Sequence, residues 1–278
     1  MNGKRSKFVK TVMVGGFVFL YLPLVLVVIY SFNDSRLVTV WGGFSTRWYA
    51  ELLHNDEIIN AALLSLRIAI ISATAAAVLG TLAGLALTRM GNFRGRTLFT
   101  GMIAAPLVMP DVITGMSLLL LFVSLGALIG WPAGRGAMTI ILAHTTFDMA
   151  YVAVIVQSRL SSMDESIEEA AMDLGGRPFQ VAMDITLPVI APAIASGWLL
   201  GFTLSLDDVV IATFVSGPGS TTLPMVIFSK IRLGVTPDIN AVATIIIFMV
   251  TVGVSIAGWL MMRQERRRVR DIQASARA

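Results

Sequence analysis

Long uncharged apolar stretches alternate with short polar segments along most of the chain. A helix that crosses the hydrocarbon core of a bilayer needs about 20 consecutive, mostly apolar residues. Six stretches meet this requirement and are predicted to be transmembrane helices: residues 11–32, 68–88, 98–124, 138–158, 189–208 and 241–262. A further apolar piece, residues 213–232, is interrupted by SGPGSTTLP and is too short to span. For it we predict an outer loop with a short surface helix.

The composition agrees with a membrane protein. Hydrophobic residues make up 56% and charged residues 14% of the 278 residues, and the mean hydropathy is +0.80. A soluble domain carries about 25% charged residues. Cysteine is absent, which excludes disulfides and thiolate metal sites. The net charge of +4 does not indicate nucleic-acid binding, because the basic residues cluster at the edges of the predicted spans.

The distribution of lysine and arginine predicts the orientation, because these residues are retained on the cytoplasmic side of a membrane. With the N-terminus inside, fifteen of them lie in cytoplasmic segments, five lie in outer loops, and Arg67 lies at the edge of a span. Both termini are therefore predicted to be cytoplasmic. The first uncharged stretch, residues 11–32, is longer than the roughly 7–15 residues of a signal-peptide core, so we expect an uncleaved first span.

A polar insert, SSMDESIEEAAMDLGGRPFQVAMDITLP at residues 161–188, separates the fourth and fifth predicted spans. Apolar residues at helical spacing predict a first helix with one apolar stripe: Met163, Ile167, Ala170, Ala171 and Leu174. Ser162 and Glu165 fit a capping box at the start of that helix. Gly175 fits the left-handed residue that ends it, and Pro178 fits the first turn of a second helix leading into the fifth span.

The charge of the insert favours a protein partner over a lipid surface. Helices that lie on lipid carry lysine and arginine on their polar face. Between Arg159 and Arg177 the insert carries five acidic residues and no basic residue, so a negatively charged leaflet would repel it. A short helix with a narrow stripe of small apolar residues is suited to a groove on another protein. We therefore predict that the insert docks to a partner chain.

Seven residues of the insert match a family pattern, E-A-A-x-x-x-G, nine residues, then I-x-L-P: Glu169, Ala170, Ala171, Gly175, Ile185, Leu187 and Pro188. The pattern resembles that of permease subunits of bacterial ATP-driven (ABC) importers, and its place between the fourth and fifth of six spans agrees. The stretches APLVMPDVITGMSLLLLF, GWLLGFTLSLDDVVIATFVSGPG and INAVAT are similar to the polyamine-importer branch of that family.

The resemblance implies an all-α integral membrane protein with six transmembrane helices and the MetI-like fold of type I ABC importers, located in the bacterial inner membrane. It implies a heterodimer with a homologous permease subunit, two ATPase subunits that contact the insert through Glu168 and the seven pattern residues, and a periplasmic substrate-binding protein. The expected substrate is a polyamine, with putrescine as the first candidate and another small solute as the alternative. We divide the chain into residues 1–60, the permease core 61–262, and a basic tail 263–278.

The sequence does not suggest an enzyme. The only Gly-Lys dipeptide, Gly3-Lys4, lacks an upstream glycine-rich run, so the chain has no phosphate-binding P-loop. His54 and His144 have no companions at metal-ligand spacing. We expect no catalytic residues, metal or cofactor in this chain, and we expect ATP and magnesium to bind to the partner ATPase.

Four acidic residues fall within the predicted spans: Asp111, Asp148, Asp207 and Asp208. An ionisable residue at membrane depth is costly and usually faces a cavity, a partner or a pathway. At 1.5 Å per residue, Asp111 lies about 22 Å beyond Arg96, and Asp207 about 25 Å beyond Ile190. A polyamine carries ammonium groups that carboxylates and aromatic rings stabilise. Asp111, Asp207 and Asp208, with Trp198 and Phe202, are therefore predicted to line the substrate path.

Structural alternatives remain for each acid. Asp111 follows Pro110 and would also suit a helix cap. Asp148 is predicted to form an ion pair with His144, one helical turn away. Asp207 and Asp208 would also be tolerated at the outer membrane interface. An ion-driven secondary transporter is a rival interpretation, although we find none of the inverted repeats that it predicts. An intramembrane enzyme is a second rival, without a credible nucleophile and base.

Overall fold

The computed structural model describes residues 3–37, 40–234 and 236–275. These residues form helices, with one isolated antiparallel bridge between Asn33 and Phe44. The helices are α1 (Gly3–Tyr30), α2 (Arg47–Leu52), α3 (Asp56–Arg89), α4 (Arg96–Val108), α5 (Asp111–Ile129), α6 (Ala137–Ser161), α7 (Ser166–Asp173), α8 (Pro178–Val181), α9 (Leu187–Asp207), α10 (Val210–Val215), α11 (Leu223–Leu233) and α12 (Pro237–Ser275). A π-helical segment, Ala182–Thr186, joins α8 to α9 without a break.

Within the described part of the chain, five helical stretches are long and apolar enough to cross a membrane: Lys7–Tyr30, Asp56–Arg89, Asp111–Ile129, Ala137–Ser161 and Pro178–Asp207. Arg96–Val108 and Pro237–Gly253 are shorter apolar helices. The predicted sixth span, 241–262, falls within α12. Residues 276–278 of the predicted basic tail lie outside the described residues.

The chain divides into two compact units, residues 1–56 with 230–278 and residues 57–229. In the first unit, α1 and α2 each pack against α12. The loop after α1 is organised by the buried Asn33, whose backbone carbonyl accepts the indole N–H of Trp48 at 2.6 Å. The sequence-based division at residues 60 and 262 stays a prediction.

The core of the second unit lies around α6. One cluster joins Ile140 and Ala143 of α6 to α3, α5 and α10, and a second joins Val152 and Val156 to α3 and α9. The glycine at position 80 permits close contact between α3 and α6, because a Cβ there would lie 2.6 Å from the Val152 Cβ. Real Cβ atoms do not approach so closely.

The predicted third span, residues 98–124, is wrong in its extent. The helix stops at Val108, Met109 is extended (ψ 138°), and a new helix begins at Asp111 and continues to Ile129. Pro110 explains the break, because proline has no N–H to donate and disfavours helical backbone in the residue before it.

The predicted outer loop at 213–232 is also only partly correct. Its first residues belong to α10, which is buried against α5 and α6 rather than lying on a surface, with Ile211, Ala212 and Val215 almost fully buried. Five of the six residues of this short helix are apolar, which accounts for the burial of the face that carries Ile211, Ala212 and Val215. The short helix predicted later in this piece corresponds to α11.

Candidate functional site

An acidic cavity of about 460 Å³ lies within the second unit, between α5, α6, the end of α9 and the start of α10. It brings together all four acidic residues that the sequence places at membrane depth. Its lining consists of Asp111, His144, Phe147, Asp148, Tyr151, Leu204, Ser205, Asp207, Asp208, Val209, Val210 and Ile211.

One wall of this cavity is formed where the helical structure is interrupted after Asp207, between α9 and α10. Helix α9 ends at Asp207, Asp208 is extended (ψ 128°), and α10 starts at Val210. The Asp208 carboxylate accepts the N–H groups of Ile211 at 3.2 Å and Ala212 at 2.7 Å. The first N–H groups of a helix have no partner within it, so Asp208 caps α10.

His144 connects this wall to two other helices. Its Nε2 lies 3.2 Å from the Asp208 Oδ2, and its Nδ1 lies 2.6 Å from the hydroxyl oxygen of Ser205. The Ser205 oxygen also accepts the hydroxyl hydrogen of Ser72 on α3 at 3.0 Å. Both ring nitrogens are therefore occupied, and the predicted pair between Asp148 and His144 is wrong. The pair was expected from helical spacing, but His144 is directed toward α9.

Asp148 has no such partner. It is 1% exposed, and among the described residues neither carboxyl oxygen has a hydrogen-bond partner. Gly201 of α9 makes room for it, because a Cβ at that position would lie 3.3 Å from the Asp148 Cβ. A buried carboxyl group without a hydrogen bond or counter-charge is costly, so a cation that reached the cavity would offset that cost.

Asp111 and Asp207 are exposed to the cavity. Asp111 is the first residue of α5, and Pro110 occupies the capping position before it. No hydrogen bond from the Asp111 side chain to the first helical turn is formed in the described structure. The helix-cap alternative for Asp111 therefore has no hydrogen bond to support it, whereas Asp208 does form a cap.

The predicted aromatic residues lie apart from the acids. Trp198 and Phe202 stack on each other with ring centroids 5.4 Å apart, and the Trp198 indole N–H donates to the Thr74 hydroxyl at 3.0 Å. Neither residue lines the cavity. Phe147 and Tyr151, whose ring centroids are 5.3 Å apart, line it instead. The sequence reasoning missed them, although their spacing on either side of Asp148 is a usable signal.

The insert is a second candidate site. Helix α7 begins at Ser166, and Ser162 ends α6 instead of starting a new helix, so the predicted capping box is wrong. Asp164 takes that role, because its carboxylate accepts the Ser166 N–H at 3.0 Å. This hydrogen bond lowers the pKa of Asp164 from its usual 3.8.

The predicted turn between the two helices of the insert is confirmed. Gly175 has a positive φ of 92°, and the N–H groups of Gly175 and Gly176 donate to the carbonyls of Met172 and Ala171. This arrangement is a Schellman motif, which satisfies the last carbonyl groups of a helix. Pro178 opens α8, as predicted.

Glu168 points into the protein. Its Oε2 lies 2.7 Å from the Nε of Arg89, and its Oε1 accepts the Thr186 hydroxyl hydrogen at 2.6 Å. Arg89 also contacts Glu165 at 2.8 Å. Arg89 is the last residue of α3, so this cluster joins the insert to a membrane helix.

The outward face of the insert is partly apolar. Ile167 and Ala170 of α7 and Leu174, which directly follows it, are exposed on one face, and Glu169 is exposed beside them. Leu174 is 91% exposed and Phe179 is 72% exposed. The remaining pattern residues face different surroundings: Ala171 and Ile185 are half-buried, Leu187 packs on the α3–α6–α9 core, and Pro188 is exposed.

Comparison with known proteins defines the class. Residues 76–270 match the family described as "Binding-protein-dependent transport system inner membrane component", and the chain belongs to this family. It is thus a non-catalytic permease subunit of an ABC importer, a multi-pass inner-membrane protein, as the sequence predicted.

Among its relatives is the putrescine transport system permease protein PotI of Escherichia coli (strain K12), 61% identical over 273 residues, which are 98% of this chain and 97% of the relative. The spermidine/putrescine transport system permease protein PotC of the same strain is 41% identical over 258 residues, 91% of this chain and 95% of PotC. A bacterial ABC transporter involved in alginate import has a similar fold, with a TM-score of 0.72 at 16% identity, covering 93% of this chain and 96% of that chain. The predicted MetI-like fold is confirmed.

Proposed function

We propose that this chain is one permease subunit of a polyamine importer, with putrescine as its substrate. The buried, unpartnered Asp148 beside the exposed Asp111 and Asp207 is the observation that carries this proposal. Similarity to two permeases named for putrescine transport supports it.

The chemistry of the cavity suits a short diamine. Each ammonium group needs acceptors that replace its water shell, and carboxylates are the strongest acceptors that a protein offers. Asp148 holds one ammonium group at the buried end, and Asp207 and Asp111 hold the other near the opening. Phe147 and Tyr151 contact the methylene chain and contribute cation–π attraction. Asp208 contacts His144 and caps α10, so its part is structural.

Energy for transport comes from the partners. The exposed face of α7 with Leu174 and Phe179 docks to a separate ATPase subunit, which holds ATP and magnesium. A second, homologous permease completes the pathway, a second ATPase subunit serves it, and a periplasmic protein delivers the substrate. Both termini lie in the cytoplasm. Movement of the insert then alternates access to the cavity between the two sides of the membrane.

Uptake of labelled putrescine into proteoliposomes containing the complete importer tests this function. Asp148→Asn and Asp207→Asn are expected to lower uptake at least about 30-fold, because each removes a charge partner from a desolvated cation. Asp34→Asn, an exposed acid that does not line the cavity, is the matched control and retains wild-type uptake.

Competition with unlabelled spermidine distinguishes the two polyamines, since the preferred substrate competes at the lower concentration. Wild-type importer that transports an uncharged or anionic solute, and not putrescine, would contradict the proposal. Full uptake by both cavity variants would show that selectivity resides in another subunit.

A further inference from the structure

Glu168 is the point at which the insert meets two membrane helices. On one side it contacts Arg89, the last residue of α3, and on the other it accepts the hydroxyl of Thr186, which directly precedes α9. Arg89 is 19% exposed, Glu168 is 13% exposed and Thr186 is buried. We name these three residues the insert clamp.

The same two helices are joined again beside the cavity. The Ser72 hydroxyl of α3 donates to Ser205 of α9 at 3.0 Å, and Trp198 of α9 donates to Thr74 of α3 at 3.0 Å. From the clamp to the Ser72–Ser205 bond the distance is about 25 Å along α3 and about 28 Å along α9. The two helices therefore run antiparallel over nearly equal lengths. They are joined at one end by the insert clamp and at the other by the Ser72–Ser205 and Thr74–Trp198 hydrogen bonds.

We propose that the insert clamp makes α3 and α9 move with α7 as one body, so that Glu168 is the positioning residue that transmits movement of the insert to the cavity. This inference rests on the proposed function, because it assigns a route within the chain for energy supplied by the ATPase. It separates two neighbouring acids by role: Glu169 faces outward toward the partner, and Glu168 faces inward toward the membrane helices.

The contacts at both ends suit such a role. An ion pair with little exposure to water is costly to break, and without it Glu168 would keep only the Thr186 hydroxyl as a partner among the described residues. The insert therefore moves more readily with α3 and α9 than away from them. At the cavity end, Ser205 also contacts His144, whose other nitrogen contacts Asp208. Displacement of α3 and α9 would therefore also move Asp208, at the interruption between α9 and α10 that forms the cavity wall.

Uptake of putrescine per ATP hydrolysed, measured with the complete importer in proteoliposomes, tests the clamp. Glu168→Gln and Thr186→Val preserve side-chain size and remove the ion pair or the hydroxyl. Each is expected to leave ATPase co-purification and ATP hydrolysis intact and to lower uptake per ATP by about 2- to 30-fold. Arg94→Gln, an exposed arginine shortly after α3, is the matched control and keeps the wild-type ratio.

A charge exchange provides the sharper test. Arg89→Glu is expected to lower putrescine uptake per ATP hydrolysed. Adding Glu168→Arg is expected to restore that uptake to within about threefold of wild type, because the ion pair re-forms with reversed charges. Unchanged coupling in both Glu168→Gln and Thr186→Val would overturn the proposal. Loss of ATPase co-purification in these variants would also overturn it, because it would place Glu168 at the partner surface.

A distance measurement keeps the clamp testable independently of transport. The chain has no cysteine, so spin labels attached to it at Met90→Cys and Met183→Cys, before assembly with the partners, report the separation between the end of α3 and the segment before α9. In the assembled importer we expect a narrow distance distribution that broadens in Glu168→Gln. A distribution of equal width in both proteins would refute the clamp even if transport were abolished. Failure of wild-type putrescine uptake alone would instead refute the proposed function.

Discussion

Replacement of Asp148 by leucine is expected to stabilise the protein while it removes transport. Asp148 is 1% exposed and has neither a hydrogen bond nor the ion pair with His144 that helical spacing suggested. A buried polar group without a partner costs about 1–3 kcal/mol, and an apolar side chain of similar shape avoids that cost. We therefore expect Asp148→Leu to raise the free energy of unfolding by about 1–3 kcal/mol. Putrescine uptake should fall at least about 30-fold.

His144→Leu is the matched control, since it lies one turn away on α6 and is equally buried. That change removes one hydrogen-bond partner from each of Ser205 and Asp208, and it is expected to lower the free energy of unfolding by about 1–3 kcal/mol. Unfolding of both variants by titration with sodium dodecyl sulfate, followed by circular dichroism, measures the two opposite shifts. Destabilisation by Asp148→Leu of the same size as by His144→Leu would refute the reasoning.

Three further predictions concern packing, docking and pH. Gly80→Ala is expected to destabilise the protein by about 1–3 kcal/mol through overpacking between α3 and α6, whereas Gly101→Ala, with open space at its Cβ, should be neutral or slightly stabilising in the same titration. Leu174→Glu should lower co-purification of the ATPase about tenfold or more, since it places a charge in an apolar contact; unchanged co-purification would place docking elsewhere. Because the pKa of Asp164 is lowered in the folded state, its hydrogen bond to Ser166 is present above the usual value of 3.8 and is lost as the pH falls through the lowered pKa. Protection of the Ser166 amide against hydrogen exchange, measured relative to its intrinsic rate at each pH, should fall over that range, and Asp164→Asn should remove this pH dependence.

The features predicted correctly from sequence are those encoded by neighbouring residues. Gly175 and Pro178 identify the turn of the insert because each restricts its own backbone. The spans follow from the length of apolar runs, which is also a local property. Pro110 indicates the interruption before α5, but the apolar residues on both sides of it led to the prediction of one continuous span.

The contacts that organise the two sites join residues far apart in the chain. Arg89 and Glu168 are brought together by the packing of whole helices, and no spacing rule relates them. His144 pairs with Asp208 rather than with Asp148 because the break after Asp207 turns the Asp208 carboxylate toward α6. The sequence therefore placed four acids at membrane depth, and all four line the cavity, but it paired the histidine with the wrong one.

The break after Asp207 also has a consequence for the backbone. The last four carbonyl groups of a helix lack partners within it, and the negative end of the helix dipole lies at the same place. At the end of α9 these oxygens belong to residues 204–207, the stretch that contributes Leu204, Ser205 and Asp207 to the cavity lining. These oxygens carry only partial negative charge, so a cation in the cavity would be held less tightly by them than by a carboxylate. Because they belong to the main chain, a protein stripped of all four cavity aspartates would keep a residual preference for cations over anions.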